Sequence, residues 1–535
     1  MPFARKRFLL ISAVLVALAI GVFSRRSRTA PVPVKGAQAP QEAGQGASAS
    51  SPAGPAASIP GPLGAPATNG ANPQSTNAAP EGTQAVTVVA KRGDSVTSLA
   101  WHDLPETVYM RESEIEAAIR EANGLKGNAL KPGQQVVIPG IPTSPILDKP
   151  VLVPKNFEAR GIYLTGYTAG SARGLDLVKQ WRQSGGNTVV FDIKDFDGAL
   201  HVPFDHKYAP HPDLTIRNLP KYIHYLHSLH LHAIARIALF RDAHLAQTYA
   251  ELAVHSRKTG KPWLENGKLA WTDPSNPEVQ QYDLDLARMA AAAGADEIQF
   301  DYVRFPAEGD QADCRFEFQK EHPDWPRSRV ITDFVARAYA DLHARGVLVS
   351  IDVFGVMAWA RPVDLNHTGQ SIAELAEHVD VLSPMIYPSH FFGMDGYKLP
   401  GDAPEHFISE SMKRFEATTE GSGVVIRPWL QAFAWKTKSY STDYILNQVS
   451  VSKEEGGVGF LFWNARNEYP RPFDGMARMR AAGDRYLRGD EVDKPVPAMA
   501  SAAPAPPASA QKSPESASGV ANPPAAAAGK GASHP

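Results

Sequence analysis

The chain has 535 residues, a formal net charge of −2 and a single cysteine, Cys314. A near-neutral balance gives no electrostatic ground for a nucleic-acid partner. One cysteine excludes an internal disulfide framework and, in a polar loop, reads as a bystander thiol.

In chain order, residues 1–28 come first. Arg5, Lys6 and Arg7 precede an apolar run from Phe8 to Phe23, and Arg25, Arg26 and Arg28 follow it. This pattern is an export signal. The run is shorter than the ~20 residues of a comfortable membrane span, which fits a cleavable signal peptide. No small-x-small cleavage site is evident and arginines follow at once, which fits an uncleaved signal anchor. Either reading places the folded part outside the cytoplasm, in the periplasm or at the cell surface. The membrane is then met only through this segment. Residues 29–83 and the tail 491–535 are dominated by Ala, Pro, Gly and Ser. Such stretches cannot bury enough apolar surface to offset the entropy of folding, so both are expected to be disordered.

Residues 84–140 change character. Val86 to Val89 reads as a strand, and Gly93-Asp94-Ser95 as a turn with a helix cap. Ile115, Ala118 and Ile119 share one face of a second helix. Leu130-Lys131-Pro132-Gly133-Gln134 turns into a last strand ending at Ile138-Pro139. This β-α-α-β pattern, with Asn123 after the second helix, resembles the LysM family. The resemblance implies binding of N-acetylglucosamine-containing glycans such as peptidoglycan; a structural spacer is the alternative. The segment Trp101 to Glu112 is longer than that family's pattern.

Over residues 155–490, strand-like runs alternate with helical patterns. The runs are Arg160–Leu164, Asn187–Ile193, His232–Leu239, Glu297–Val303, Leu348–Phe354, Val379–Ile386, Val424–Phe433 and Val458–Trp463. The helices between them include Pro277–Ala293, Val330–Arg345 and Thr442–Glu455, with Gly294 and Gly346 where C-caps belong. The alternation predicts an α/β fold, a (β/α)8 TIM barrel. A doubly wound open sheet is the rival, but no G-x-G-x-x-G loop follows the first strand.

Function in such a barrel sits at the C-terminal strand ends. Side-chain alternation puts Asp192 with Lys194, Gln299 with Asp301, and Ser350 with Asp352 on polar faces turned toward the barrel mouth. Asp301 and Asp352 fall on adjacent strands at equal depth and are the expected catalytic pair: one protonates the leaving oxygen, the other attacks or activates water. Asp192, Asp195 and Glu308 are rival acids. Asp192, Lys194, Arg236, Gln299, Arg304, Tyr387, Trp429, Gln431 and Trp463 are the expected substrate contacts. Tyr163, Trp271 and Tyr302 add aromatic surface for sugar stacking. His224, His227, His230 and His232 read as a solvated helix face rather than a metal site, and no cofactor motif is present.

At these residues a second resemblance appears. Arg160 to Thr165, Asn187 to Asp195, Trp271 to Pro277, Asp296 to Pro306, Asp352 to Gly355 and Ser383 to Pro388 resemble a bacterial domain family of unknown function, named for its relation to extracellular barrel glycoside hydrolases. The resemblance implies a TIM barrel acting on a polysaccharide, with Asp301 as nucleophile or base and Asp352 as acid. A catalytically inactive, wall-associated glycan-binding scaffold is the alternative from another functional class.

Overall fold

The computed structural model describes residues 82–210 and 214–488. The export signal, most of the linker and the tail lie outside the described residues. Among the described residues, no helix is long and apolar enough to cross a membrane.

Eight parallel staves form a closed ring. They are β1 (Arg160–Leu164), β2 (Thr188–Lys194), β3 (His232–Ala238), β4 (Glu297–Asp301), β5 (Leu348–Phe354), β6 (Val381–Ile386), β7 (Val425–Ile426 and Trp429–Gln431) and β8 (Phe460–Trp463). Each pairs with the next in sequence, and β8 returns to β1. Closure rules out the doubly wound open sheet. The expected runs differ mainly in length: the fourth stops at Asp301, and the seventh breaks in two around Arg427-Pro428, because Pro428 offers no amide hydrogen to a ladder.

The outward faces of the staves carry Val189, Phe191, Ile298, Phe300, Val349 and Ile351, which pack with the helices as one large core. The inward faces carry a smaller cluster of Tyr163, Val190, Ile234, Tyr387, Trp429 and Leu461. Gly161 lets Leu461 cross this interior: a Cβ at Gly161 would stand 2.4 Å from the Leu461 side chain. Helices Pro277–Ala292 and Arg327–His343 end near Gly294 (φ +102°) and Gly346 (φ +76°), the positive-φ stops read from the sequence.

Low in the barrel, Arg427 pairs with Glu297 at 3.0 Å, and His232 Nε2 lies 3.1 Å from the same carboxylate. Burial opposes the Glu297 charge, but Arg427 and His232 outweigh it and hold the carboxyl at about 2. This polar layer sits at the start of β4, below the rim.

The N-terminal module is a β-α-α-β unit. Strands Thr83–Val89 and Gln135–Pro142 pair antiparallel, and helices Val96–Asp103 and Glu112–Ala122 lie between them in sequence. Ser95 and Ser98 form a capping box at the first helix. Asn123 donates to the carbonyls of Ile119 and Val137 and accepts from the Val137 amide, each at 2.8 Å, which ties the second helix to the last strand. The long segment after Trp101 faces the barrel: the Leu104 and Pro105 carbonyls accept from Lys221 (2.6 Å) and Asn218 (2.9 Å).

Candidate active site

A cleft of about 470 Å³ opens at the C-terminal end of the barrel. Its floor is organised by Arg236 on β3. One guanidinium nitrogen donates to Asp192 and another to Asp301, while Nε faces Asp352 at 3.7 Å. The residues are nearly sealed: Asp301 is 7% exposed, Asp352 2% and Arg236 2%. Because Gln299 pairs in register with Ser350, Asp301 and Asp352 stand at the same level, two residues further on. One guanidinium spans them, so the two carboxyl groups are close neighbours.

The electrostatics separate the two. Asp301 accepts from Arg236 through Oδ2 and from the Tyr302 amide at 2.5 Å through Oδ1. Asp352 accepts only the Trp429 indole N–H, at 2.7 Å. Burial first, then the charge of Asp301, lifts the Asp352 carboxyl well above the usual carboxylate range, against the pull of Arg236 and Trp429. The two carboxyl groups therefore differ in their partners: Asp301 is held by a guanidinium and a backbone amide, Asp352 by an indole N–H in a buried site.

The turn after β4 is strained. Tyr302 sits at φ +53°, a region that costs a non-glycine residue about 1–3 kcal/mol. Two bonds hold it there: its amide on Asp301, and its hydroxyl taking a hydrogen bond from Arg241 at 2.8 Å. The strain turns the chain so that Arg304 folds back between Trp271 (4.7 Å) and Phe354 (4.4 Å). On the opposite wall Tyr163 stacks on Trp463 at 4.0 Å, with Trp429 edge-on to Trp463 at 5.7 Å. Tyr163 also donates its hydroxyl to Asp192.

The structure sorts the expected contacts. Asp301, Asp352, Arg236, Arg304, Tyr387, Trp429 and Trp463 line the cleft. Asp192 and Gln299 face inward but are fully buried below it; Asp192 is the counter-charge that fixes Arg236 and Tyr163, and Gln299 donates to Ser383 at 3.3 Å.

Lys194 does not face the mouth. The β2–β3 register slips between Asp192 and Lys194, so the expected two-residue alternation fails and Lys194 turns outward. There it pairs with Asp283 at 2.6 Å and Asp242 at 3.0 Å, fully buried. Burial opposes its charge, but the two carboxylates prevail and raise its pKa. Replacing Lys194 by Met should cost about 3–5 kcal/mol of stability, because it strands two buried acids. Denaturant melts check this, and activity per folded molecule should be unchanged.

Gln431 does not line the cleft either. It is fully buried and tied to the Phe433 carbonyl, the Thr437 hydroxyl and the Ser389 amide, so it fixes two loops rather than touching substrate. The histidines are a solvated face only in part, since His224 and His230 are exposed while His227 and His232 are not. His227 bridges Asp148 (2.8 Å) and Asp296 (3.1 Å), His224 reaches Asp148 at 3.0 Å, and His232 is buried on Glu297. Among the described residues, no group of three or more His, Cys, Asp or Glu is placed to hold a metal ion.

Sequence reasoning missed one supporting element. Leu264–Glu265 and Leu269–Ala270 form a hairpin whose tip, Asn266-Gly267, has φ +52° and +71°. Asn-Gly is the strongest short-range hairpin signal, and it was present in the sequence. Asn266 donates to Glu308 at 2.7 Å, while Glu265 accepts the Ala307 and Glu308 amides (3.1 and 2.9 Å) and the Trp271 indole (2.9 Å). Burial and Glu265 push Glu308 up to about 7, from an ordinary 4.5. Asp195, on the same cleft, is pushed to about 7 by burial and by Asp192. Between pH 4.5 and 7 folded Glu308 holds a proton that the unfolded chain has released, so its contribution to stability falls as pH rises through that window. Glu308→Gln should therefore melt higher than the parent at pH 8, with the difference shrinking toward pH 4.5. Paired thermal melts across that range check the sign.

A closed (β/α)8 barrel with paired carboxylates, a central guanidinium and stacked aromatics at its C-terminal rim defines a glycoside-hydrolase-type enzyme. Residues 161–469 match the family model described as "Putative glycosyl hydrolase domain", and the chain belongs to that family. Residues 115–139 match the LysM domain. No curated protein matches the chain. Among solved structures, it is similar to a hypothetical protein from Ruminiclostridium thermocellum (33% identity, 36% of this chain and 97% of that one, TM-score 0.31). It is also similar to the PgaB (BpsB) glycoside hydrolase domain from Bordetella bronchiseptica (15% identity, 60% and 99%, TM-score 0.46). A third is the spore cortex-lytic enzyme SleL of Bacillus megaterium (12% identity, 73% and 85%, TM-score 0.37).

Proposed function

We propose that this protein is an exported glycoside hydrolase that cleaves a cell-wall or extracellular polysaccharide with Asp301 and Asp352, while its LysM module holds it on peptidoglycan. The observation that carries the reading is the shared Arg236 contact, which sets two unlike carboxyl groups side by side on the floor of an aromatic cleft. Asp352 gives its proton to the glycosidic oxygen as the C–O bond breaks. Asp301 either attacks the anomeric carbon or takes a proton from the attacking water, and water supplies the new hydroxyl. Trp463, backed by the buried Tyr163 and Trp429, offers a flat apolar face to a sugar ring.

Localisation rests on the N-terminal segment, whose basic flanks and apolar run are those of an export signal, cleaved or retained as an anchor. A LysM module ahead of a glycosidase barrel concentrates the enzyme on its polymer, since tethering makes the second encounter intramolecular.

The test is reducing-end release from a panel of peptidoglycan, amino-sugar polymers and exopolysaccharides, parent against Asp301→Asn. Release by the parent alone supports hydrolysis. Binding without cleavage by the parent on every polymer replaces it with the scaffold reading.

A further inference from the structure

Beside the catalytic cleft lies a smaller pocket of about 50 Å³. Ala307, Phe354, Met385, Tyr387 and His390 belong to the walls of both, so the two spaces adjoin. The pocket continues past them between Met357, Phe391 and Met394. Phe354 is two residues beyond Asp352 on β5, which sets the pocket next to the carboxylate pair.

A plain hexose carries hydroxyl groups around its ring and has nothing to place in an apolar recess. Burying a hydroxyl there without a partner costs roughly 1–3 kcal/mol. The recess therefore suits a substrate with an apolar substituent. Three of its lining residues carry a buried polar atom with no hydrogen bond, Asp364 Oδ1, His367 Nδ1 and His390 Nε2, and of these residues only His390 also lines the catalytic cleft. The ring is fixed by packing against Trp435 (5.0 Å), Tyr387 (5.5 Å) and Phe433 (5.8 Å). Its Nδ1 lies 3.2 Å from the Ser389 hydroxyl. Where that hydroxyl donates to Nδ1, Nε2 carries the proton and is a donor seeking a carbonyl. Burial, reinforced by Lys436, lowers His390 to about 3, so the imidazole is neutral at physiological pH.

An apolar recess of this size with a hydrogen-bond donor at its mouth matches an acyl group: the methyl enters among Met385, Met394 and Phe391, and the carbonyl oxygen accepts from His390 Nε2. We infer that this pocket binds the N-acyl group of an amino sugar, so that the substrate is an N-acylated rather than a de-N-acylated glycan. The inference rests on the hydrolase reading of the adjoining cleft. The one carboxyl group on the pocket's wall, Asp364, is already paired with Arg361 at 2.6 Å, so a free amine at the same position would place an ammonium in the recess without a free counter-charge, a costly burial.

The test is calorimetric binding of two probes, the hexamer of N-acetylglucosamine and the hexamer of glucosamine, to the full chain carrying Asp301→Asn. Two further variants are compared on that background. Met394→Trp fills the recess, and His390→Phe keeps the ring and removes the donor. The N-acetylated hexamer should lose about 10–200-fold in affinity at the barrel site in both variants, the range expected when a small group is misfitted, while the glucosamine hexamer is unaffected. Binding of the same probe at the LysM module is common to all variants and stays constant. Equal losses for both hexamers, no loss for either, or no barrel binding of the N-acetylated hexamer overturns the inference. Because binding is read without turnover, a failure to cleave would count against the hydrolase reading and leave this comparison standing.

Discussion

On the proposed mechanism, Asp301→Asn should reduce glycan cleavage by about 10³-fold or more, with folding and glycan binding retained. The side chain has two jobs in the structure, and Asn performs one. Its amide oxygen can still accept the Tyr302 amide, which keeps the strained turn at φ +53° in place. It cannot attack an anomeric carbon or deprotonate water, because an amide is neither nucleophile nor base at neutral pH. Its NH2 would also face the Arg236 guanidinium, donor against donor, at a cost of about 1–3 kcal/mol. A modest fall in melting temperature is therefore part of the expected result. Stopped reducing-end assays and calorimetric binding on the same preparation separate the outcomes. Parent-level cleavage by the variant would remove Asp301 from the chemistry. Loss of binding in step with cleavage would make it a structural residue instead. Asp352→Asn should lose activity to a similar degree, while keeping the Trp429 hydrogen bond through its carbonyl oxygen.

How far the chain could be read without coordinates depended on how local each signal was. The staves were legible because a parallel barrel strand announces itself by an apolar outward face, as Val189, Phe191, Ile298 and Phe300 do. The helix stops at Gly294 and Gly346 were legible because a positive φ after a helix favours glycine. Asp301 and Asp352 could be placed at one depth because β4 and β5 run in regular register. Lys194 was misread because a slip in register leaves no mark in the residue pattern, and strict alternation then points the side chain the wrong way. Gln431 was misread for a different reason: an inward polar residue near a rim can bind a loop as readily as a ligand, and only the positions of Ser389 and Thr437 decide. Glu308 was seen only as a rival acid because its environment is built from a hairpin more than forty positions away in sequence, Glu265 and Asn266. The side pocket at His390 had no sequence signal, since its walls come from separate loops.

Arg236 is where stability and chemistry meet, and its removal is the second large effect. Asp192, Asp301 and Asp352 all lie within reach of this one guanidinium, and all are nearly sealed from water. Arg236→Met leaves them without a counter-charge. Breaking a buried pair by deleting one partner costs about 3–5 kcal/mol, and three dependent acids put this site at the upper end. The loss should depend on pH. In the parent, burial already raises Asp192 and Asp352 against the lowering pull of Arg236. Without that pull both rise further, so the folded variant holds protons that its unfolded chain releases. Its stability then falls as pH climbs from the ordinary carboxylate range, and the gap to the parent widens toward pH 8. Melts at pH 5 and pH 8 should show the smaller gap at pH 5. Arg236→Lys divides the two roles. It restores one positive charge but cannot donate to Asp192 and Asp301 while facing Asp352, because a single ammonium lacks the planar fork. It should recover much of the lost stability and little of the activity, since Asp301 and Asp352 would no longer be held unlike. A lysine variant with parent activity would show that charge alone suffices. A methionine variant with a pH-independent gap would show that the three carboxyl groups are not the ones paying for the loss of Arg236.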